Sequence, residues 1–305
     1  MITIAMTLKN SIKTLKDALQ GIKELQYDKK NIKIVFVDGG STDGSLKLLE
    51  EFRSQNIDEY YDIKVISGKY DITEGRNTCI RNAEGSFILF IDSDVVVPSD
   101  LLREVEHLFS SNPKIAFINI PCVVEKGREG WVDKFYKSIG EPQGMSCAAI
   151  RISALKDVGP YFMGFHKGEN PNELIFRLKK KGYEYAVLKK EALHIKQKPR
   201  GFVSYLKYCF TASVIYHYQE IKSGSKYLIA KYLYYTALLG SILLIPFSPL
   251  FFTLLSLLLL TALSLLYLRR SHGNPYSLLA IIAGMTLPFG MLFLILKKTI
   301  KKSQL

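Results

Sequence analysis

Phe87-Ile88-Leu89-Phe90-Ile91 runs directly into Asp92-Ser93-Asp94 and then Val95-Val96-Val97-Pro98. A short apolar run bounded by polar residues reads as a strand buried on both faces. Two carboxylates at i and i+2 on an extended backbone point the same way. Asp92 and Asp94 can therefore share one hard divalent cation whose other ligands are phosphate oxygens. Like charges that close repel without a cation, so a purely structural role is costly where the strand leaves the sheet. An isolated D-x-D is common; this one draws its weight from its position.

Outward from that strand, apolar strand-like runs alternate with amphipathic helical runs: Ile2–Thr7, Ile12–Leu25, Ile32–Val37, Leu46–Phe52, Ile63–Ser67 and Thr78–Ala83. This alternation predicts an α/β domain, a mainly parallel sheet with helices on both faces. Ligands of such sheets bind beyond the carboxyl ends of the strands, after Thr7, Val37, Ser67 and Ile91. The polar signals fall at those places. The second strand ends in Asp38-Gly39-Gly40-Ser41-Thr42-Asp43-Gly44, a turn that lets a ligand approach the backbone and then caps the next helix. A plain turn with an N-cap accounts for the same residues.

The chain has 305 residues, 48% of them hydrophobic, which excludes disordered, collagen-like and disulfide-scaffold classes. Its net charge of +13 is unevenly placed, because every acidic residue lies at or before Glu220. Residues 1–220 carry 32 basic and 28 acidic side chains, whereas residues 221–305 carry nine basic and none acidic. A basic tail around long apolar runs predicts contact with anionic lipid rather than nucleic acid. Tyr232 to Leu268 is 37 residues without a charge, about 55 Å as helix and too long for one crossing. It is expected to fold as a hairpin of helices at about 228–247 and 250–268, broken at Pro246-Phe247-Ser248-Pro249. A third run, Pro275 to Leu296, predicts a helix at about 276–296.

Three crossings would place Arg269 and Arg270 inside and Lys297, Lys298, Lys301 and Lys302 outside. Either the third segment re-enters at Pro288-Phe289-Gly290, or residues 201–219 contribute a span, or the charge rule is violated. Residues 201–226, aromatic-rich with scattered charges, suit an amphipathic helix lying on the bilayer better than a crossing. Met1 to Leu8 reads as a strand and not a signal peptide, which predicts a cytoplasmic catalytic domain on a multi-pass cell-membrane protein. Cys79, Cys122, Cys147 and Cys209 have no metal-ligand spacing and fit a reducing compartment.

Strand one, the Asp-Gly-Gly-Ser-Thr-Asp-Gly turn, Glu74-Gly75-Arg76-Asn77 and the strand-borne Asp92-Ser93-Asp94, in this order, resemble the inverting family 2 glycosyltransferases with a GT-A fold. The resemblance covers roughly residues 1–200 and is specific as a constellation. It implies that Thr7 and Asp38 line the base and ribose pocket of a nucleotide diphosphate sugar, with Gly40 and Ser93 also on the nucleotide-sugar side. It places Arg76 near the base or diphosphate and Asp92 near the ribose and the metal's water shell. Asp94 would ligate Mg²⁺ or Mn²⁺ directly, and His194 stands where some members carry a late metal ligand or phosphate contact. A lone His is also commonly structural. No Walker-type phosphate loop is present, so metal and carboxylates would take its role.

Gly168-Glu169-Asn170-Pro171-Asn172-Glu173 resembles the family's acidic general-base segment but departs from it, with Asn170 where an Asp is expected. Glu169 is the first base candidate and Glu173 the second, although Glu173 also reads as a first-turn carboxylate favoured by the helix dipole. A hydroxyl acceptor needs a base, whereas a phosphate acceptor, with its second pKa near 6, is already ionised. The altered segment therefore favours a polyprenyl phosphate over other lipid acceptors. Gln197-Lys198-Pro199-Arg200 matches the start of the Q-x-x-R-W segment of processive polysaccharide synthases, but Gly201 replaces the Trp. Lys198 and Arg200 then become phosphate or acceptor contacts. Trp131 can stack on a sugar or pack in a core. The alternatives are a processive synthase, a nucleotidyltransferase on a related sheet, and a non-catalytic membrane protein retaining the fold. The oligomeric state is open, a homo-oligomer included.

Overall fold

The structure, a computed structural model, describes residues 1–124, 145–159, 171–195 and 226–270, with isolated positions at 203, 206, 207, 281, 284, 285 and 288. The chain divides into two compact units, one of Met1–Arg128 with Pro142–Gln197 and one of Glu129–Glu141 with Lys198–Leu305. Glu169, Lys198, Arg200, Trp131, most of the expected interfacial helix and most of the third apolar segment lie outside the described residues.

The first unit begins β1 (Ile2–Leu8), α1 (Ile12–Lys23), β2 (Ile32–Asp38), α2 (Ser45–Asn56), β3 (Asp62–Ser67), α3 (Ile72–Arg81) and β4 (Phe87–Ile91). Then come β5 (Val95–Val96), α4 (Leu101–Ser111), β6 (Ile115–Asn119) and β7 (Cys122–Val123). It closes with β8 (Cys147–Arg151), α5 (Ile152–Val158), α6 (Pro171–Lys180), β9 (Glu184–Val187) and β10 (Ala192–His194). The main sheet has the order β3-β2-β1-β4-β8-β6-β9. β1, β2, β3 and β4 run parallel, and β8 lies antiparallel between β4 and β6. The mainly parallel sheet expected from the alternation is thus a mixed one. A second, three-stranded sheet joins β5, β10 and β7.

Strand periodicity explains the two layers. Ile2, Ile4, Met6 and Leu8 of β1, with Ile32, Ile34 and Phe36 of β2 and Phe87, Leu89 and Ile91 of β4, face one core. Helices α1, α2 and α4 close that core with Leu15, Leu19, Ile22, Leu49, Phe52, Leu102 and Val105. The alternate residues Ala5, Val35, Val37, Ile88 and Phe90 face the second core, covered by α3, α5 and α6. Burial on both faces is why β1, β2 and β4 read as continuous apolar runs. It also puts the carboxyl ends of four parallel strands at one edge, where polar side chains collect.

The second unit contains the helices α7 (Lys226–Leu243) and α8 (Pro249–Arg270), joined by a turn at 244–248 that holds Pro246. α7 ends four residues before the expected 247, and Pro249 occupies the first position of α8, where its missing N–H costs nothing. Three polar contacts join the helices. The Tyr234 hydroxyl donates to Leu259 O at 2.8 Å, the Ser241 and Ser256 hydroxyls lie 2.8 Å apart, and those of Tyr235 and Tyr267 lie 3.3 Å apart. Among the described residues one helix, Pro249–Arg269, is long and apolar enough to cross a membrane, while the apolar part of α7, Ile229–Leu243, is shorter.

Candidate active site

Four loops meet at the carboxyl edge of the sheet, after Leu8, Asp38, Ser67 and Ile91. β1 and β2 pair Leu8 with Asp38, and β2 and β3 pair Asp38 with Ser67, so their loops start level. Asp38 is fully buried. Its carboxylate accepts from the N–H groups of Gly40 and Ser41, at 3.1 and 3.0 Å, and from the Ser67 hydroxyl at 2.9 Å. Three donors hold the acid at the edge of the sheet and fold its own turn around it. Gly40 adopts φ +80°, and a side chain on Gly39 would stand 2.8 Å from the Tyr70 carbonyl. The glycines here serve backbone approach within the protein.

Thr7, one residue before the end of β1, is half-buried, and its Oγ1 is shielded from solvent. Gly75 of α3 packs against it; a Cβ there would lie 3.1 Å from Thr7 Cγ2. That close approach seats α3 on β1 and carries Arg76, 2% exposed, under the sheet edge. Arg76 Nη2 donates to Asp92 Oδ1 at 2.7 Å, and its guanidinium lies 5.6 Å from the Phe90 ring centroid. Arg76, itself seated against the Phe90 ring, thus fixes the Asp92 carboxylate.

Residues 92–95 form a turn, with Val95 N–H donating to Asp92 O at 3.1 Å. The carboxylates therefore leave from a bend, not the extended backbone expected from their i, i+2 spacing. Asp92 meets Arg76; Asp94 meets His194, whose Nε2 stands 3.7 Å from Asp94 Oδ1. The small sheet makes that meeting, because β10 pairs antiparallel with β5 and sets His194 opposite Val95. Ile195 N–H donates to Asp94 O at 2.8 Å and locks the same register. The separation is long for a hydrogen bond. It suits two ligands of one cation, each about 2.1 Å from the ion and so roughly 3–4 Å from each other. A carboxylate oxygen suits Mg²⁺ or Mn²⁺ and an imidazole nitrogen suits a transition ion, so this pair fits Mn²⁺ better than Mg²⁺. Among the described residues no group of three His, Cys, Asp or Glu side chains forms a closed metal cage.

Ser93, expected on the nucleotide-sugar side, is 8% exposed and donates its hydroxyl to Ser11 Oγ at 2.9 Å. The β1–α1 and β2–α2 loops are laced together around it. Asn10, at φ +53°, accepts from Thr42 N–H at 2.9 Å, and Ser41 Oγ accepts from Asn10 N–H at 2.8 Å. Asp43 accepts from Ile12 N–H at 3.0 Å and from the Ser45 hydroxyl at 2.6 Å. The Ser45 bond, aided by Ile12 N–H against a smaller opposing desolvation, holds the Asp43 carboxyl below the usual range. Sequence reading missed Ser11, Ser45 and Ser67, because serines in polar loops carry no spacing signal.

Glu173 lies in the first turn of α6, and Glu169 is outside the described residues. Among the described residues, Cys79 and Cys147 are too deeply buried to serve as nucleophiles. Burial pushes the Cys79 thiol up to about 12, and burial, with Cys122 and Asp92 nearby, raises that of Cys147.

Residues 3–168 match the family model "Glycosyl transferase family 2". A poly-beta-1,6-N-acetyl-D-glucosamine synthase of Staphylococcus epidermidis is 25% identical over 117 residues, 38% of this chain and 27% of that protein. The uncharacterized glycosyltransferase YfnE of Bacillus subtilis is 33% identical over 95 residues, 31% of this chain and 23% of YfnE. The chain thus spans about a quarter of the length of these curated relatives. A solved structure, mannosyltransferase PcManGT from Pyrobaculum calidifontis in complex with GDP-Man and Mn²⁺, covers 94% of this chain and 86% of its own, with TM-score 0.59 and 18% identity. That likeness shows a shared fold. With more than half the chain matched to the family model, this protein belongs to glycosyl transferase family 2.

Proposed function

We propose that this chain is a membrane-anchored, metal-dependent, inverting glycosyltransferase. It moves a sugar from a nucleotide diphosphate sugar to a polyprenyl phosphate or a lipid-linked saccharide, its catalytic domain on the cytoplasmic side. The observation that supports it best is the meeting of Asp94 and His194, 3.7 Å apart, at the strand exit beside the Asp38 turn. Donor and metal find support in the neighbour of the same fold that was crystallised with GDP-Man and Mn²⁺.

In this mechanism Asp94 and His194 would hold Mg²⁺ or Mn²⁺. When bound, the cation neutralises the charge that develops on the leaving nucleoside diphosphate. Arg76 keeps Asp92 facing the donor, and the Asp38 turn with Thr7 receives the nucleoside. The acceptor oxygen attacks the anomeric carbon from the face opposite the diphosphate, which inverts the configuration. A phosphate acceptor arrives already ionised at neutral pH. A hydroxyl acceptor has to give its proton to Glu169 or Glu173. The similarity to a polysaccharide synthase over 117 residues supports a second reading, a processive transferase.

Purified enzyme supplied with radiolabelled UDP- and GDP-sugars, Mn²⁺, and either polyprenyl phosphate or a hydroxyl-ended lipid saccharide tests these readings. The expected product is one sugar on the phosphate lipid, labile to mild acid. Turnover with the hydroxyl acceptor alone rejects the phosphate acceptor, and a ladder of lengthening products establishes the processive reading. Asp94→Asn is expected to lower kcat by roughly 100-fold or more, the scale of losing one preorganised electrostatic group. Wild-type rates in that variant would remove the metal mechanism.

A further inference from the structure

Ser11 occupies the N-cap of α1 without capping it, since its side chain makes no bond to the helix's first turn. A serine there ordinarily spends its oxygen on an N–H two or three residues on. Here Asp43, from the neighbouring loop, accepts from Ile12 N–H at 3.0 Å. Ser11's own N–H goes to Ser45 Oγ at 2.9 Å, and Ser45, fully buried, donates its hydroxyl to Asp43 Oδ1 at 2.6 Å. Ser11 is thereby held at its backbone while its Oγ turns outward from the helix. What that oxygen receives is the hydroxyl of Ser93, the residue between Asp92 and Asp94, at 2.9 Å.

Ser93 is 8% exposed, so its hydroxyl has little access to water and depends on a protein partner. The turn that carries both aspartates is consequently tied on two sides, by Arg76 on Asp92 and by Ser11 on Ser93. The second tie runs from Ser93 through Ser11 and Ser45 to a charged Asp43 carboxylate, where the short, charge-assisted bond is the strongest link. We infer that Ser11 and Ser93 are positioning residues of the transfer reaction. Their hydroxyl pair fixes the Asp92–Asp94 turn against the two loops that follow β1 and β2, with Asp43 as the anchor. The inference rests on the reading that this turn receives the metal and the donor diphosphate. A site 1 Å too loose loses much of its rate, so the tie acts through the placement of Asp94 and not by touching substrate.

The test uses the full-length protein in detergent with Ser93→Ala, Ser11→Ala, their double variant, Ser11→Thr, Asp94→Asn, and Ser54→Ala as a control on the α2 surface. Mn²⁺ binding is read from loss of the free-ion EPR signal in the presence of UDP or GDP, alongside kcat, donor KM and the melting temperature. Ser93→Ala and Ser11→Ala are each expected to weaken Mn²⁺ binding and lower kcat by about 3- to 10-fold, the worth of one net hydrogen bond. Melting of Ser93→Ala should stay near that of Ser54→Ala, whereas Ser11→Ala, which leaves the buried Ser93 hydroxyl without its partner, should melt measurably lower. The double variant should fall no further than either single one, because both remove the same bond. Ser11→Thr, which keeps the hydroxyl, should restore both quantities. Unchanged Mn²⁺ binding in Ser93→Ala, or fully additive losses in the double variant, overturns the inference while a silent Asp94→Asn enzyme leaves the metal reading standing. Wild-type Mn²⁺ binding in Asp94→Asn overturns that reading, and the inference with it.

Discussion

Lys33, at the start of β2, shows how charge is managed at the edge opposite the site. Its side chain is 9% exposed, and its Nζ lies 2.5 Å from Glu84 and 3.3 Å from Asp62. Burial lowers its pKa, but the bonds to Glu84 and Asp62 outweigh that and leave it raised. A group raised on folding contributes stability that is full below its unfolded value, about 10.4, and is lost as pH climbs through the folded one. Glu84 and Asp62 are about half exposed, so removing the lysine lets both rehydrate and strands no buried charge. Lys33→Met is therefore expected to lie within about 1 kcal/mol of the parent at pH 7 and to gain on it above pH 10. Urea unfolding at pH 7 and pH 11 measures both, and a loss above about 3 kcal/mol at pH 7 would mean the pair is a net stabiliser. The site's residues were unevenly legible in the sequence. Asp38, Asp92 and Asp94 were found because strand ends announce them. That Asp38 also takes the Ser67 hydroxyl, and that Ser93 gives its hydroxyl to Ser11, depends on residues 29 and 82 positions away. No local pattern encodes that distance.

Among the elements, β4 was read to the residue, since a five-residue apolar run has few other solutions. Helix α3 begins at Ile72, six residues before the expected Thr78, because Asp71 caps it by accepting from Glu74 N–H at 2.8 Å. The capping signal was present in Asp71 and Glu74, masked by weak apolar periodicity over the first turn. The α7–α8 hairpin was legible from Pro246 and Pro249, whereas its polar seam was not. Each hydroxyl has one proton, and the one that does not cross the seam can donate within its own helix, Ser241 to Leu238 O or Ser256 to Phe252 O, both at 2.7 Å. Deleting one hydroxyl therefore leaves no orphaned group, and the helices touch closely only because both residues are small. Ser241→Ala is expected to cost about 0.6 kcal/mol of hairpin stability in detergent. Ser241→Phe, which wedges the seam, should cost at least about 2 kcal/mol, on the scale of overpacked cores. Protease accessibility of the hairpin ranks them, and equal losses would show that the hydroxyl contact, not the close fit, holds the helices.

At the scale of the whole molecule, the alternation of β1 to β4 fixed the parallel half of the sheet, but nothing local said that β8 inserts antiparallel between β4 and β6. Cys147–Arg151 is an apolar run like the others, and its direction follows from which strand it must cover. The charge segregation is likewise a whole-chain property, and it bears on the proposed membrane anchor. Leu250, Phe251, Leu254 and Leu258 of α8 are 58–75% exposed, and no acidic side chain follows Glu220. Leaving such side chains in water costs about 1.5–3 kcal/mol each relative to burial, so one face of the helix needs an apolar cover. The adjoining Arg269 and Arg270 favour anionic lipid over a protein core as that cover. Membranes from cells expressing the full chain, washed in alkaline carbonate, should keep it in the pellet, because the wash strips proteins held by charge but not those held by buried apolar surface. Replacing Leu254 and Leu258 together by Asp should shift it to the supernatant, since each acid at mid-helix costs about 2.5–3.5 kcal/mol of insertion. Release of the parent chain by carbonate alone would mean that it rests on lipid head groups through its basic side chains, and the anchored reading would fail.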